Sequence, residues 1–182
     1  MKRLFALLPF LPLVFLITSC GNSGTQAGMS AADSASAAQA KKDSTLAAHK
    51  EIARASVENF NAAGLEKSFK DVAPDAVDYG NGEMKSVKGK DSVLAGLRVF
   101  MNAFPDFKTD IKYVLADGNM VAVFNESSGT FKNAMGSMKP TGKSFKMNDV
   151  DLFTFNDAGQ MTEHRSVQSN ISFLSQIGVK MK

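Results

Sequence analysis

Residues 149–164, DVDLFTFNDAGQMTEH, hold the chain's best candidates for acid–base chemistry. Asp149 and Asp151 lie two apart, so a strand puts both on one face, together with Phe145, Met147, Phe153 and Phe155. Carboxylates on an aromatic and methionine face are expensive to bury unpaired. They therefore polarise a ligand, orient a nearby base, or pair with a cation such as Arg165. His164, one of only two histidines, shares a strand face with Thr162, Ser166 and Gln168. Beside Asp149 or Asp151 in a pocket it is a usable base near neutral pH. Turned into the sheet or onto a dimer face, it is only a hydrogen-bonding group. The named catalytic candidates are His164, Asp151 and Asp149. Tyr79, Met101, Phe104 and Asn125 are candidate pocket walls, with Met147 and Phe153 on the aspartate strand and Gln168 on the histidine strand.

Other chemistries fail on spacing. GSMKPTGKS at 136–144 imitates a phosphate-binding loop, but five residues separate its glycines instead of four, and it runs into a strand where a helix is needed. His49 and His164 are far apart in the sequence and the chain has a single Cys, so no dedicated transition-metal site is expected. There is no Gly-x-Ser-x-Gly elbow. No cofactor is implied.

The candidates need elements to position them. DLFTF and QMTEHRS read as two strands joined at Asn156-Asp157-Ala158-Gly159. Upstream, period-two runs predict strands over FKTDIKYVLADG, with Phe107, Thr109, Ile111, Tyr113 and Leu115 on one face, and over NMVAVFNESSGTF. DAVDYG predicts a brief earlier strand. Helical spacing predicts a helix from Ser44, its N-cap, to a stop at Gly64. A short second helix follows over 65–74, ended by Pro74. A third spans 89–104, capped by Asp91 or Ser92. NISFLSQIG adds a final turn or two. Three helices followed by a long antiparallel meander is an α+β order.

The N-terminal end reads as an address. Lys2 and Arg3 precede an apolar stretch from Leu4 to Ile17, too short and too interrupted by Pro9 and Pro12 to span a bilayer. Ile17-Thr18-Ser19-Cys20 resembles the lipobox of bacterial lipoproteins. The resemblance implies a signal peptide over 1–19, lipidation of Cys20, attachment to a membrane through that lipid, and a lipid-anchored place in the bacterial cell envelope, at the outer membrane on its periplasmic or surface side. With one Cys no intrachain disulfide is available. Loss of Lys2 and Arg3 brings the net charge from +3 to about +1, and no basic stripe suits nucleic acid. Residues 20–43, rich in Ala, Ser and Gly, read as a disordered tether, with an Ala-rich helix as the alternative and a spacer role either way, leaving 44–182 as one domain.

VKGKDSV at 87–93, FPDF at 104–107, KPTGKSF at 139–145 and the opening segment 149–164 together resemble the SnoaL-like, or ester cyclase, branch of the ketosteroid isomerase and NTF2-like superfamily. The likeness runs over about 46 to 178. It implies a cone-shaped barrel of helices in a curved antiparallel sheet, a pocket for small, fairly apolar molecules, and a homodimer through the sheet's outer face. Members known as cyclases close a ring in a polyketide ester with an acid–base Asp, whose basicity burial raises. Their last strand commonly reads Glu-His-Trp-Asp-x-x-Asp. Here Glu163-His164 is followed by Arg165, with Ser166 and Ser169 at the two Asp positions, so no cyclase Asp carries over onto this strand. The expectation is a pocket that binds a small apolar or amphipathic molecule. An acid–base cyclase, isomerase or hydratase using His164 with Asp151 or Asp149 is the first alternative, and a dimeric interaction module the second.

Overall fold

The computed structural model describes residues 30–180. The expected targeting segment over 1–19, Cys20 and the part of the expected tether up to residue 29 lie outside the described residues. The first helix, α1 (Ala31–Glu58), starts well before Ser44. Ser30 Oγ accepts the Asp33 N–H at 3.1 Å while the Asp33 carboxylate accepts back from the Ser30 N–H at 3.3 Å. This capping box opens an Ala-rich run with the highest intrinsic helix propensity. Residues 31–43 thus take the helical alternative and not the disordered tether, and every residue from 31 to 45 is exposed. Low apolar content denies this run a core, but it does not forbid a helix. No helix among the described residues is long and apolar enough to cross a membrane.

A Cβ added at Gly64 would sit 2.5 Å from the Asn59 carbonyl oxygen, so only glycine lets the chain double back after α1. The second helix, α2 (Leu65–Ser68), is a single turn. Strand β1 (Val72–Asp78) follows at once and contains Pro74, so this proline lies within a strand and does not end a helix. The strand tolerates it because its ladder is interrupted between Val72 and Val77, where a missing N–H costs no rung. After the two-residue β2 (Val87–Lys88) comes α3 (Lys90–Ala103). Its N-cap is Gly89 at φ 94°, with no side-chain cap, so Asp91 and Ser92 lie inside the helix.

The remaining strands are β3 (Lys108–Asp117), β4 (Met120–Thr130), β5 (Ser144–Phe155) and β6 (Met161–Ser166), with α4 (Asn170–Gln176) at the end. They make one six-stranded sheet in the order β2-β1-β6-β5-β4-β3. All neighbours are antiparallel except β1 and β6, which run parallel. In β3 the ladder passes from Ile111 opposite Asn125 to Tyr113 opposite Phe124, so Lys112 is an extra residue. That bulge reverses the faces beyond it. Val114 turns inward, and Tyr113 and Leu115, expected on one face with Ile111, are 69% and 59% exposed on the other.

Two apolar clusters fill the concave side. One joins α3 and α4 through Phe104, Phe131, Phe145 and Phe173; the other seats α1 on the sheet through Ala53, Val57, Val123 and Phe153.

Candidate functional site

Where the clusters meet, a cavity of about 100 Å³ remains. Its walls are mostly apolar, including Val57, Phe60, Phe69, Val93, Leu97 and Phe153, and its polar end is built by Asp78, Asp151 and His164. Three strands bring these together. The antiparallel β5–β6 pairing sets Phe153 opposite His164 and Asp151 opposite Ser166. The parallel β1–β6 pairing sets Asp78 opposite His164.

His164 is held from both sides. Nδ1 lies 3.0 Å from Asp78 Oδ1 and Nε2 lies 2.9 Å from Asp151 Oδ1. Asn125, 4% exposed, donates Nδ2–H to Asp151 Oδ2 at 2.7 Å and so fixes the second oxygen of that carboxylate. On the other side Asp78 Oδ1 also accepts the Gly80 N–H at 2.8 Å; Gly80 supplies this bond from φ 51°, a backbone region that favours glycine. Burial works against a charged ring. The hydrogen bonds and the attraction of Asp151 and Asp78 outweigh it and push His164 up to about 10. The ring is an imidazolium at neutral pH, and each N–H is committed to a carboxylate. Asp78 feels the reciprocal effect: burial would raise it, but the hydrogen bond and charge of His164 and the Gly80 N–H hold it below the ordinary carboxylate value.

Asp149 is different. Burial and then the neighbouring Asp151 push it up, against the opposing pull of Ser166, whose Oγ–H is shared between both carboxylate oxygens at 2.9 Å each, the Val150 N–H, and His164. It does not line the cavity. Neither aspartate pairs with Lys or Arg among the described residues. Arg165 instead lies 3.7 Å over the Tyr79 ring.

Of the residues singled out from sequence, the structure gathers His164, Asp151 and Phe153 at the cavity, with Asn125 directly behind Asp151. The others are elsewhere. Met101 and Phe104 are core, 4% and 0% exposed, and Met147 packs against the same cluster. Tyr79 reaches Glu163 Oε1 at 3.5 Å, and neither Tyr79 nor Gln168 is on the cavity wall. The residue that sequence reasoning missed is Asp78. Its only local signal was a polar residue at the end of a short strand, before Tyr79-Gly80. His49, the second histidine, is buried in a parallel stack on Phe155, ring centroids 4.3 Å apart, away from the cavity wall.

A curved mixed sheet wrapped around helices, with an apolar cavity ending in carboxylates and a histidine, defines an NTF2-like, ketosteroid-isomerase-like fold. Solved structures of that class superpose on it. A candidate SnoaL-like polyketide cyclase from Jannaschia sp. CCS1 is 20% identical, matching 75% of this chain and 96% of its own with a TM-score of 0.68. AclR, a candidate hydroxylase from Streptomyces galilaeus, is 25% identical over 73% of this chain and 97% of its own, with a TM-score of 0.62. A ketosteroid-isomerase-like protein from Catenulispora acidiphila DSM 44928, crystallised with trimethylamine, is 18% identical over 71% and 94%, with a TM-score of 0.57. No curated protein matches significantly. The sequence model of the SnoaL-like polyketide cyclases matches residues 50–177, and the chain belongs to that family.

Proposed function

We propose that the protein binds a small apolar or amphipathic molecule in this cavity and releases it unchanged. One observation carries the reading: both ring nitrogens of His164 are taken by carboxylates, at 3.0 and 2.9 Å. A histidine so held has no free nitrogen with which to accept a substrate proton. The carboxylate with raised basicity, Asp149, lies off the cavity, and the lowered Asp78 on its wall is a weak base. The size agrees, since about 100 Å³ falls below the roughly 300–1,000 Å³ of sites for drug-sized ligands. The trimethylamine held by the Catenulispora relative supports a ligand of that scale.

Acid–base turnover is the second reading. Membership of a cyclase family favours it, and Asp78 on the cavity wall, whose Oδ1 takes His164 and Gly80 while Oδ2 has no hydrogen-bond partner among the described residues, is the group that would accept the proton. For location we propose a lipid-anchored envelope protein, on the strength of Ile17-Thr18-Ser19-Cys20. The exposed helical stretch 31–43, about 20 Å long at 1.5 Å per residue, suits a spacer between lipid and domain. Exposed Tyr113, Leu115, Met120 and Phe124 on the outer sheet face support a homodimer.

The test incubates the protein with a small-molecule extract of the host envelope, records adducts by native mass spectrometry, and compares ligand retention before and after. A bound molecule that elutes unchanged is the expected result. One that returns with altered retention, and no longer does so with Asp78→Asn, would make this an enzyme.

A further inference from the structure

We infer that the cavity takes a compact organic cation of the alkylammonium class, its charge on Asp78 and its apolar body against Phe60, Phe69 and Phe153. The inference deepens the small-molecule reading and rests on it.

Counting protons in the triad fixes its charge. Two hydrogen bonds join Asp78, His164 and Asp151, and each holds one proton. Two carboxylates and a ring stripped of both nitrogen protons would carry three negative charges. The two bridging protons leave one, wherever along the bonds they sit. No lysine or arginine among the described residues lines the cavity to neutralise it. The remaining charged wall residue, Glu163, is also acidic, and its carboxylate is directed to Tyr79 and Thr154.

The triad's oxygens are unequally used. Asp151 spends Oδ1 on His164 and Oδ2 on Asn125. Asp78 spends Oδ1 on both His164 and Gly80. Asp78 Oδ2 has no hydrogen-bond partner among the described residues, and the side chain keeps 19% of its surface exposed. It is the one triad oxygen left for a ligand donor. A neutral apolar guest would displace water from that oxygen and give nothing back. An anion would add a second like charge in a desolvated site. A cation satisfies the oxygen, balances the charge and meets aromatic rings in the wall. The volume sets the body: an engineered apolar cavity of about 150 Å³ takes benzene, so about 100 Å³ suits on the order of four to six heavy atoms.

Three probes sharing a tert-butyl body separate the possibilities: tert-butylammonium and tert-butanol, matched at five heavy atoms, and the larger anion pivalate. Each is titrated at pH 7 into the full chain, following the methyl resonances of Val57, Ala76 and Val93. The expected order is ammonium about tenfold or more tighter than alcohol, with pivalate weakest, and Asp78→Asn erases the preference for the cation. The wild-type order decides the matter even if that variant fails to fold. Alcohol binding as tightly as ammonium, or pivalate binding tightest, overturns the cation inference and leaves the small-molecule reading standing. No shift with any of the three overturns both.

Discussion

Removing the ring from between two carboxylates should cost stability in a pH-dependent way. In His164→Gln the amide cannot carry the charge that links Asp78 to Asp151. The rise of His164 from 6.5 to about 10, at about 1.4 kcal/mol per unit, sets a ceiling of about 5 kcal/mol. The side chain is 31% exposed and the carboxylates share the same interaction, so about 2–3 kcal/mol is the reasonable expectation. The sign follows from linkage. A histidine raised in the folded state contributes fully below its unfolded value of 6.5, and the contribution is lost as pH rises through about 10. Urea unfolding of wild type and His164→Gln at half-unit steps from pH 6 to pH 10 measures this directly. Every other group titrating in that window is common to both proteins, so the difference isolates the ring. The gap should be widest near pH 6 and shrink steadily toward pH 10. A gap that stays constant, or widens with pH, would falsify the imidazolium.

Asp149→Asn should raise stability at neutral pH. A carboxylate raised in the folded state destabilises the fold as pH climbs past its unfolded value, while the amide oxygen still accepts from Ser166; thermal melts at pH 7 check this, and an unchanged or lowered midpoint contradicts it. Phe124→Glu and Tyr113→Arg, both on the exposed outer face, should turn a dimer into a monomer in sedimentation velocity without altering the circular dichroism. Wild type sedimenting as a monomer would remove the dimer. Cys20→Ser should shift the protein from the membrane fraction to the soluble one, because serine cannot take the thioether-linked lipid that the Ile17-Thr18-Ser19-Cys20 pattern implies; unchanged fractionation would count against the lipid anchor.

The hairpin that brings Asp151 and His164 together was legible because both halves are local. Period-two alternation fixes which residues share a face, and Asn156-Asp157-Ala158-Gly159 closes the turn, Asn156 Oδ1 accepting the Gln160 N–H at 2.9 Å. Asp78 was not legible. It reaches His164 across 86 residues through a parallel pairing, and nothing in DAVDYG announces which strand will lie beside it. Tyr113 and Leu115 were misread because a single bulge at Lys112 reverses an alternation that looks unbroken in sequence. Met101 and Phe104 show the same ambiguity from the apolar side: a helical stripe looks alike whether it faces a filled core or a cavity. The clusters filled one space and left the other, and only packing distinguishes them.

The most direct test is the ring-nitrogen spectrum of His164 at pH 8, with the histidines labelled with nitrogen-15. A cavity end built to hold a ligand through a locked Asp78–imidazolium–Asp151 unit requires protons on both Nδ1 and Nε2, well above the pH where a free histidine is neutral. Two protonated ring nitrogens, unchanged between pH 7 and pH 8, are the predicted result. A single N–H, with the other nitrogen bare, would contradict it and return His164 to the role of an available base.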